Sequence, residues 1–112
     1  MTIQQAAELT LAAGGGTFDA ATLQAPEAGY AVALTLGTAI VVPGTVDAVS
    51  RAILTVLDRF PTVPYVGTWQ AGDGVHVDPV AILPDRDSAV ILGRALGQLA
   101  IYDLTHAEEV TL

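Results

Sequence analysis

Apolar residues follow two rhythms along this chain, and the helical one is clearest between residues 46 and 60. Val46, Val49, Ile53, Val56, Leu57 and Phe60 fall at i, i+3, i+7, i+10, i+11 and i+14, a continuous stripe. Thr45 supplies a cap, and Pro61 and Pro64 end the segment. Asp47 and Arg51 are spaced for an i,i+4 pair on the outer face, and Leu54 lies on that same face. A second helix is expected over about 3–13, where Thr2-x-x-Gln5 forms a capping box and Gly14-Gly15-Gly16 stops the run. A third follows Pro84, capped by Asp85 or Asp87, and runs to about Leu99.

The other rhythm is that of strands. "TFDAATLQAPEAGYAVALTLGTAIVV" predicts strands near 17–23, 29–36 and 38–42, broken at Pro26 to Gly29 and at Gly37. "YVGTWQAGDGVHVDPVAIL" predicts a hairpin, 65–70 and 75–82, turning at Gly72-Asp73-Gly74. The chain closes on a strand, "AIYDL", and a tail, "EEVTL", that adds another. The order α-β-β-β-α-β-β-α-β with short connections predicts a single compact α+β domain over residues 1–112. Its expected architecture is a mainly antiparallel sheet of five to six strands, two main helices on one face, and a short N-terminal helix.

Composition sharpens this picture. Hydrophobic residues make up 52% and charged residues 14%, against roughly 45–50% and about 25% in ordinary domains. So few charges on a small domain predict exposed apolar surface and a homo-oligomer. The net charge is −8 and there is no lysine, which argues against direct binding of nucleic acid. The two longer helices are each electrically balanced. The excess therefore comes from Glu8, Asp19, Glu27, Asp73, Asp78, Asp103, Glu108 and Glu109. Cysteine is absent, which removes thiolate chemistry and disulfides. The most apolar run, Tyr30 to Val42, is too short to span a bilayer, and the first residues lack the basic start of a signal peptide. The expectation is a cytoplasmic protein without membrane contact.

Candidate chemistry is sparse. In "GVHVDP", strand alternation places His76 and Asp78 on one face with Tyr65, Gly67 and Trp69, opposite a core face of Val66, Thr68, Val75 and Val77. His-x-Asp offers two metal ligands where zinc needs at least one more, from Asp73, Asp85 or His106. As an acid–base pair it lacks a nucleophile, because the only serines, Ser50 and Ser88, sit on helices. A solvated strand face is the simpler reading of His76 and Asp78, and no cofactor or metal is expected. Gly93-x-x-x-Gly97 puts Ala89, Gly93, Gly97 and Ala100 on a smooth face suited to close packing on the sheet. Asp87, Ile91, Arg94 and Gln98 form the outward face. The glycine triplet is not followed by a lysine as a phosphate loop requires, and "PDRDS" reads as a helix start. Leu54, Trp69, Ile91 and Arg94 are the candidate interface residues.

The segments "GGGTFDAATLQ…GYAV", "GTWQAGDGVHVDPV" and "GRALGQLAIYDL" resemble small uncharacterised proteins of actinobacteria and their phages or plasmids. The resemblance implies an origin in a high-GC genome and no particular mechanism. The expected function is therefore a non-enzymatic interaction or self-assembling accessory protein, of a phage or mobile element, with a host or virion protein as partner. The alternatives are an acidic inhibitor that mimics nucleic acid, and a small metal-dependent or acid–base enzyme centred on His76 and Asp78.

Overall fold

A computed structural model describes residues 1–112 and is α+β, with three helices and one antiparallel sheet. The elements are α1 (Ile3–Ala13), β1 (Gly15–Asp19), β2 (Tyr30–Ala33), β3 (Ile40–Val42), α2 (Val46–Arg59), β4 (Tyr65–Ala71), β5 (Gly74–Leu83), α3 (Arg86–Ala95), β6 (Ala100–Asp103) and β7 (Glu108–Thr111). The order across the sheet is β1-β4-β5-β2-β6-β7, with β3 also pairing β5. β5 is the spine. One edge carries β4 along Gly74 to Val80, while the other is shared by β3 at Val75 to Val77 and β2 at Val80 to Leu83.

Local chemistry explains most of these boundaries. Thr2 and Gln5 close the capping box of α1, Thr45 accepts the Ala48 N–H at 3.2 Å, and Asp85 accepts the Ser88 N–H at 2.9 Å. The expected strand over 17–23 is displaced. Gly15 and Gly16 belong to β1, and the chain turns after Asp19, with Leu23 at φ 61. Both glycines are strand residues because the sheet leaves no room for a side chain there. A Cβ at Gly15 would lie 2.7 Å from the Thr68 carbonyl oxygen, and one at Gly16 2.7 Å from the Phe18 ring. The expected strands over 29–36 and 38–42 shorten to β2 and β3, joined by the loop 34–39. α3 ends at Ala95 rather than Leu99. Gly97 adopts φ 68 just beyond it, so only Ala89 and Gly93 of the small-residue series are buried helix positions. Gly93 admits Leu112 and Ile101, either of which a Cβ would meet within 3.0 Å.

All three helices pack on the face carrying Val66, Thr68, Val75 and Val77, as strand alternation predicts. Under α1 and α2 lies the main core of Ala6, Ala7, Phe18, Leu23, Val49, Ala52, Ile53, Val56 and three valines of β4 and β5, Val66, Val75 and Val77. Under α3 a smaller core joins Val32, Ala89 and Ile101. The tail "EEVTL" pairs with β6 inside the chain, and Val110 faces α3 opposite Ile101.

One buried polar pair ties α1 to the sheet. Thr10 Oγ1 donates to the Ala6 carbonyl at 2.9 Å and lies 2.6 Å from Thr68 Oγ1, which must therefore donate to it. The two hydroxyls are not equivalent. Thr10→Val leaves the Thr68 hydroxyl only the Gly16 carbonyl, 3.5 Å away, as acceptor and is expected to cost about 1–3 kcal/mol, whereas Thr68→Val leaves Thr10 bonded to Ala6 and costs less. Urea melts of both variants and of the double variant would check this. Equal losses for the two single changes would contradict it.

Candidate functional site

The opposite face of the sheet has no helix over it. Strand register places Trp69 opposite His76, His76 opposite Val41, and Gly67 opposite Asp78, with Tyr65, Ala33 and Val80 one step further along. Gly67 is a glycine for a reason visible here: a Cβ would sit 2.6 Å from Val80 Cγ2. Trp69 and Val41 are 46% and 45% exposed on either side of His76, while Val80 and Asp78 are buried.

What covers Asp78 is the loop 34–39. The Ala39 N–H donates to Asp78 Oδ1 at 2.6 Å, and Thr35 Oγ1 lies 3.2 Å from the same oxygen. Burial pushes the Asp78 carboxyl above its ordinary value, partly countered by these two donors. From the other side, Gln98 Nε2 donates to the carbonyls of Thr35 at 2.6 Å and Gly37 at 3.0 Å. The loop is therefore held by side chains from β5 and from the turn after α3, and it presents Leu36, 81% exposed, to solvent.

His76 is the third tether. Its Nδ1 lies 2.7 Å from Thr38 Oγ1 and its Nε2 2.7 Å from Asp73 Oδ1. An ionised carboxylate only accepts, so Nε2 carries the proton in the neutral ring and Nδ1 accepts from Thr38. This hydrogen bond from His76 holds the Asp73 carboxyl below its ordinary value. The carboxylate partner of His76 is thus Asp73, three residues before it, and not Asp78. Asp73 is among the residues that the sequence offers beside His76, as a metal ligand, whereas Thr38 does not stand out there, because it arrives from a loop 38 residues away.

Hydroxyl, imidazole and carboxylate in a line are the parts of a nucleophilic site, so the surroundings decide what they do. One donor in the loop, the Ala39 N–H, is committed to Asp78 and so is not free to serve a developing oxyanion. A cleft of about 510 Å3 runs between β3 and α2 and is lined by Ala39, Ile40, Val42, Ala52, Arg51 and Arg59 among others. Another adjoins Asp19 and Pro61. No three His, Asp or Glu side chains converge on a point that could hold a metal ion. His106 pairs with Asp103 at 2.8 Å, far along the chain from His76. Burial raises Asp103, but the hydrogen bonds from His106 outweigh it and leave that carboxyl below its ordinary value.

Of the candidate interface residues, Leu54, Trp69 and Ile91 are 52%, 46% and 70% exposed, and Arg94 is exposed. They do not form one patch around Trp69: Leu54 and Ile91 lie on helices of the opposite face. Those helices also sit over different strands, α2 over β3, β4 and β5, and α3 chiefly over β2 and β6. Gln98 has left the outward face of α3 to bind the loop. No helix is long and apolar enough to cross a membrane. No protein family matches the chain, and none of the curated proteins or solved structures matches it.

Replacing His76 with alanine frees both Thr38 and Asp73. The expected result is faster amide exchange through 35–39 with the core amides unaffected, at a cost of about 1 kcal/mol. Unchanged exchange in that loop would remove the tethering role of His76.

Proposed function

We propose that this protein is a non-catalytic interaction module that works by self-association and by binding a partner protein, a host or virion protein being the expected kind. The observation that carries this reading is the helix-free sheet face, where the only tryptophan stands half exposed on one side of His76 and Val41 stands half exposed on the other. Large aromatic side chains in such positions are the usual energetic centres of protein interfaces. The polar groups nearby support the same reading, because His76 and Asp78 spend their hydrogen bonds on holding the loop 34–39.

The nucleic-acid-mimic alternative is less well supported. Asp78 and Asp103 are buried, and the neighbouring Glu108 and Glu109 alternate across β7. The enzyme alternative gains Thr38 as a hydroxyl beside His76, but the Ala39 N–H of the same loop is spent on Asp78.

Trp69 makes the test direct, since its fluorescence reports on this face alone. Concentrating the protein, or adding a partner, is expected to shift the emission to the blue and shield it from a soluble quencher. Trp69→Ala is expected to weaken the association by about 2 kcal/mol, roughly thirtyfold in affinity. A protein that stays monomeric, recovers no partner from a host lysate and keeps a quenchable tryptophan throughout would end this reading.

A further inference from the structure

Three strand edges of the sheet have no neighbour: those of β1, β3 and β7. Two are protected. β3 is three residues long and runs into Pro43, and β7 carries Glu108 and Glu109. β1 has neither device, with no proline and no charge before Asp19.

The free groups on that edge follow from the pairing. The two-residue turn at Gly72 and Asp73 makes Ala71 and Gly74 the closing hydrogen-bonded pair, so Trp69 and Gly67 also bond towards β5. The alternate residues of β4 then bond towards β1, as does the Gln70 N–H, which donates to the Gly14 carbonyl at 2.9 Å. On β1, Gly16 and Phe18 face β4. The N–H and C=O groups of Gly15 and Thr17 point away from the sheet and have no backbone partner in the chain, although Thr17 as a residue is buried and leaves only a small part of itself to solvent. Asp19 points the same way, but its N–H is taken by the Gln24 carbonyl at 2.8 Å.

Exposed apolar side chains flank this edge on both faces. On the helix-free face Trp69 stands opposite Gly15, which has no side chain to separate it from an added strand. On the other face α1 turns Leu11 towards Gly44, at the entry to α2. Leu9 is two residues, about 200°, from Leu11 around the helix and so faces away from α2, towards the β1 edge. It is 40% exposed.

We infer that a second copy of this chain docks on β1, antiparallel across a two-fold axis through Gly16, so that the two sheets become one. Gly15 stands opposite Thr17 of the other copy, each pair exchanging both of its hydrogen bonds, and the two Gly16 residues meet at the closer, non-bonded position. Trp69 reaches across Gly15 to the second copy, and the Leu9 flanks of the two α1 helices come alongside. The register is determined by the donors. An axis through Thr17 would set Gly15 against Asp19, whose N–H is already committed. This seam rests on the self-association proposed above and gives it a location.

The test uses two variants and one measurement on the unaltered protein. Thr17→Pro removes an N–H that has no partner within the chain, at an edge position where proline is tolerated. Leu9→Lys leaves the strand untouched and charges the seam. Both are expected to convert the dimer to monomer in sedimentation while the far-ultraviolet spectrum stays unchanged. In the unaltered protein, the Gly15 and Thr17 amides are expected to exchange at least about tenfold more slowly as concentration rises, the factor that 1.4 kcal/mol of association supplies. Should Thr17→Pro disturb folding, Leu9→Lys and the amide exchange decide the matter. An oligomer that survives both substitutions, or leaves those two amides freely exchanging, would overturn the β1 seam while self-association stood. A monomer at every concentration would overturn the seam and remove self-association, leaving only the binding of a foreign partner.

Discussion

Phe18→Ala is expected to destabilise the protein by about 3–5 kcal/mol, a large share of the roughly 5–15 kcal/mol that holds a domain of this size together. Phe18 is fully buried in a core that is otherwise mostly short side chains: three alanines and five valines, with Leu23 and Ile53. Short side chains cannot swing into the space that the ring leaves, so the cavity persists. The ring also covers Gly16, and its loss exposes the backbone of an edge strand. A urea melt followed by circular dichroism measures this directly, since Trp69 is half exposed and would report the transition weakly. A loss below about 1 kcal/mol would mean that α1 collapses onto β1 and fills the void.

Asp78 separates two substitutions of the same residue. Asp78→Ala leaves the Ala39 N–H without its acceptor, while the Thr35 hydroxyl keeps the Gly37 carbonyl at 3.1 Å, at a cost of about 1–3 kcal/mol, with faster exchange through the loop 34–39. Asp78→Asn behaves differently. Oδ1 takes both hydrogen bonds in the carboxylate, and an amide oxygen can take them too. No buried side-chain polar atom in the structure lacks a partner, so Oδ2, which has none within the chain, keeps access to water and leaves room for the amide nitrogen. Burial holds the folded pKa of Asp78 above its ordinary 3.8, so the folded state favours the protonated form. Its contribution to stability is therefore most favourable below 3.8 and falls as pH rises through the folded value. Asp78→Asn is expected to melt higher than the parent at neutral pH and to converge with it in acid.

Asp19, Asp73, Asp85 and Asp103 shift the other way, each held below 3.8 with hydrogen bonds lowering it. Their contribution is present above 3.8 and is lost as pH falls through the lowered values, in both proteins alike. A neutral-pH melting temperature of Asp78→Asn below that of the parent would show that the charge strengthens its hydrogen bonds by more than burial costs.

Much of this architecture is legible in the residues because local and global preferences agree. The stripe from Val46 to Phe60 has one helical solution, and the glycine–aspartate turn with alternating valines has one hairpin. The common face of Trp69, His76 and Asp78 follows from parity alone. The misplaced boundaries have tertiary causes. Gly15 and Gly16 read as a break, but they are strand residues because a carbonyl and an aromatic ring occupy the space of their side chains. α3 stops early where Gly97 turns left-handed, which nothing in the preceding periodicity announces. At the site, the association of His76 with Thr38 depends on where β3 joins β5, and that register is set by packing across the sheet.

The arrangement around β5 also bears on how the chain is made. β1, β2 and β3 all lie in the first half of the sequence, yet none pairs with another; their partners are β4, β5 and β6. As the chain leaves the ribosome, the first 64 residues can form α1 and α2 but no strand pair of the final sheet. Assembly waits until Leu83 is free, and the loops then closed are long, so sheet formation is slow compared with helix formation. For that interval the bare apolar strands and the unprotected β1 edge stand open to other nascent copies. A ribosome translating this message therefore carries a period of aggregation risk set by the position of one strand.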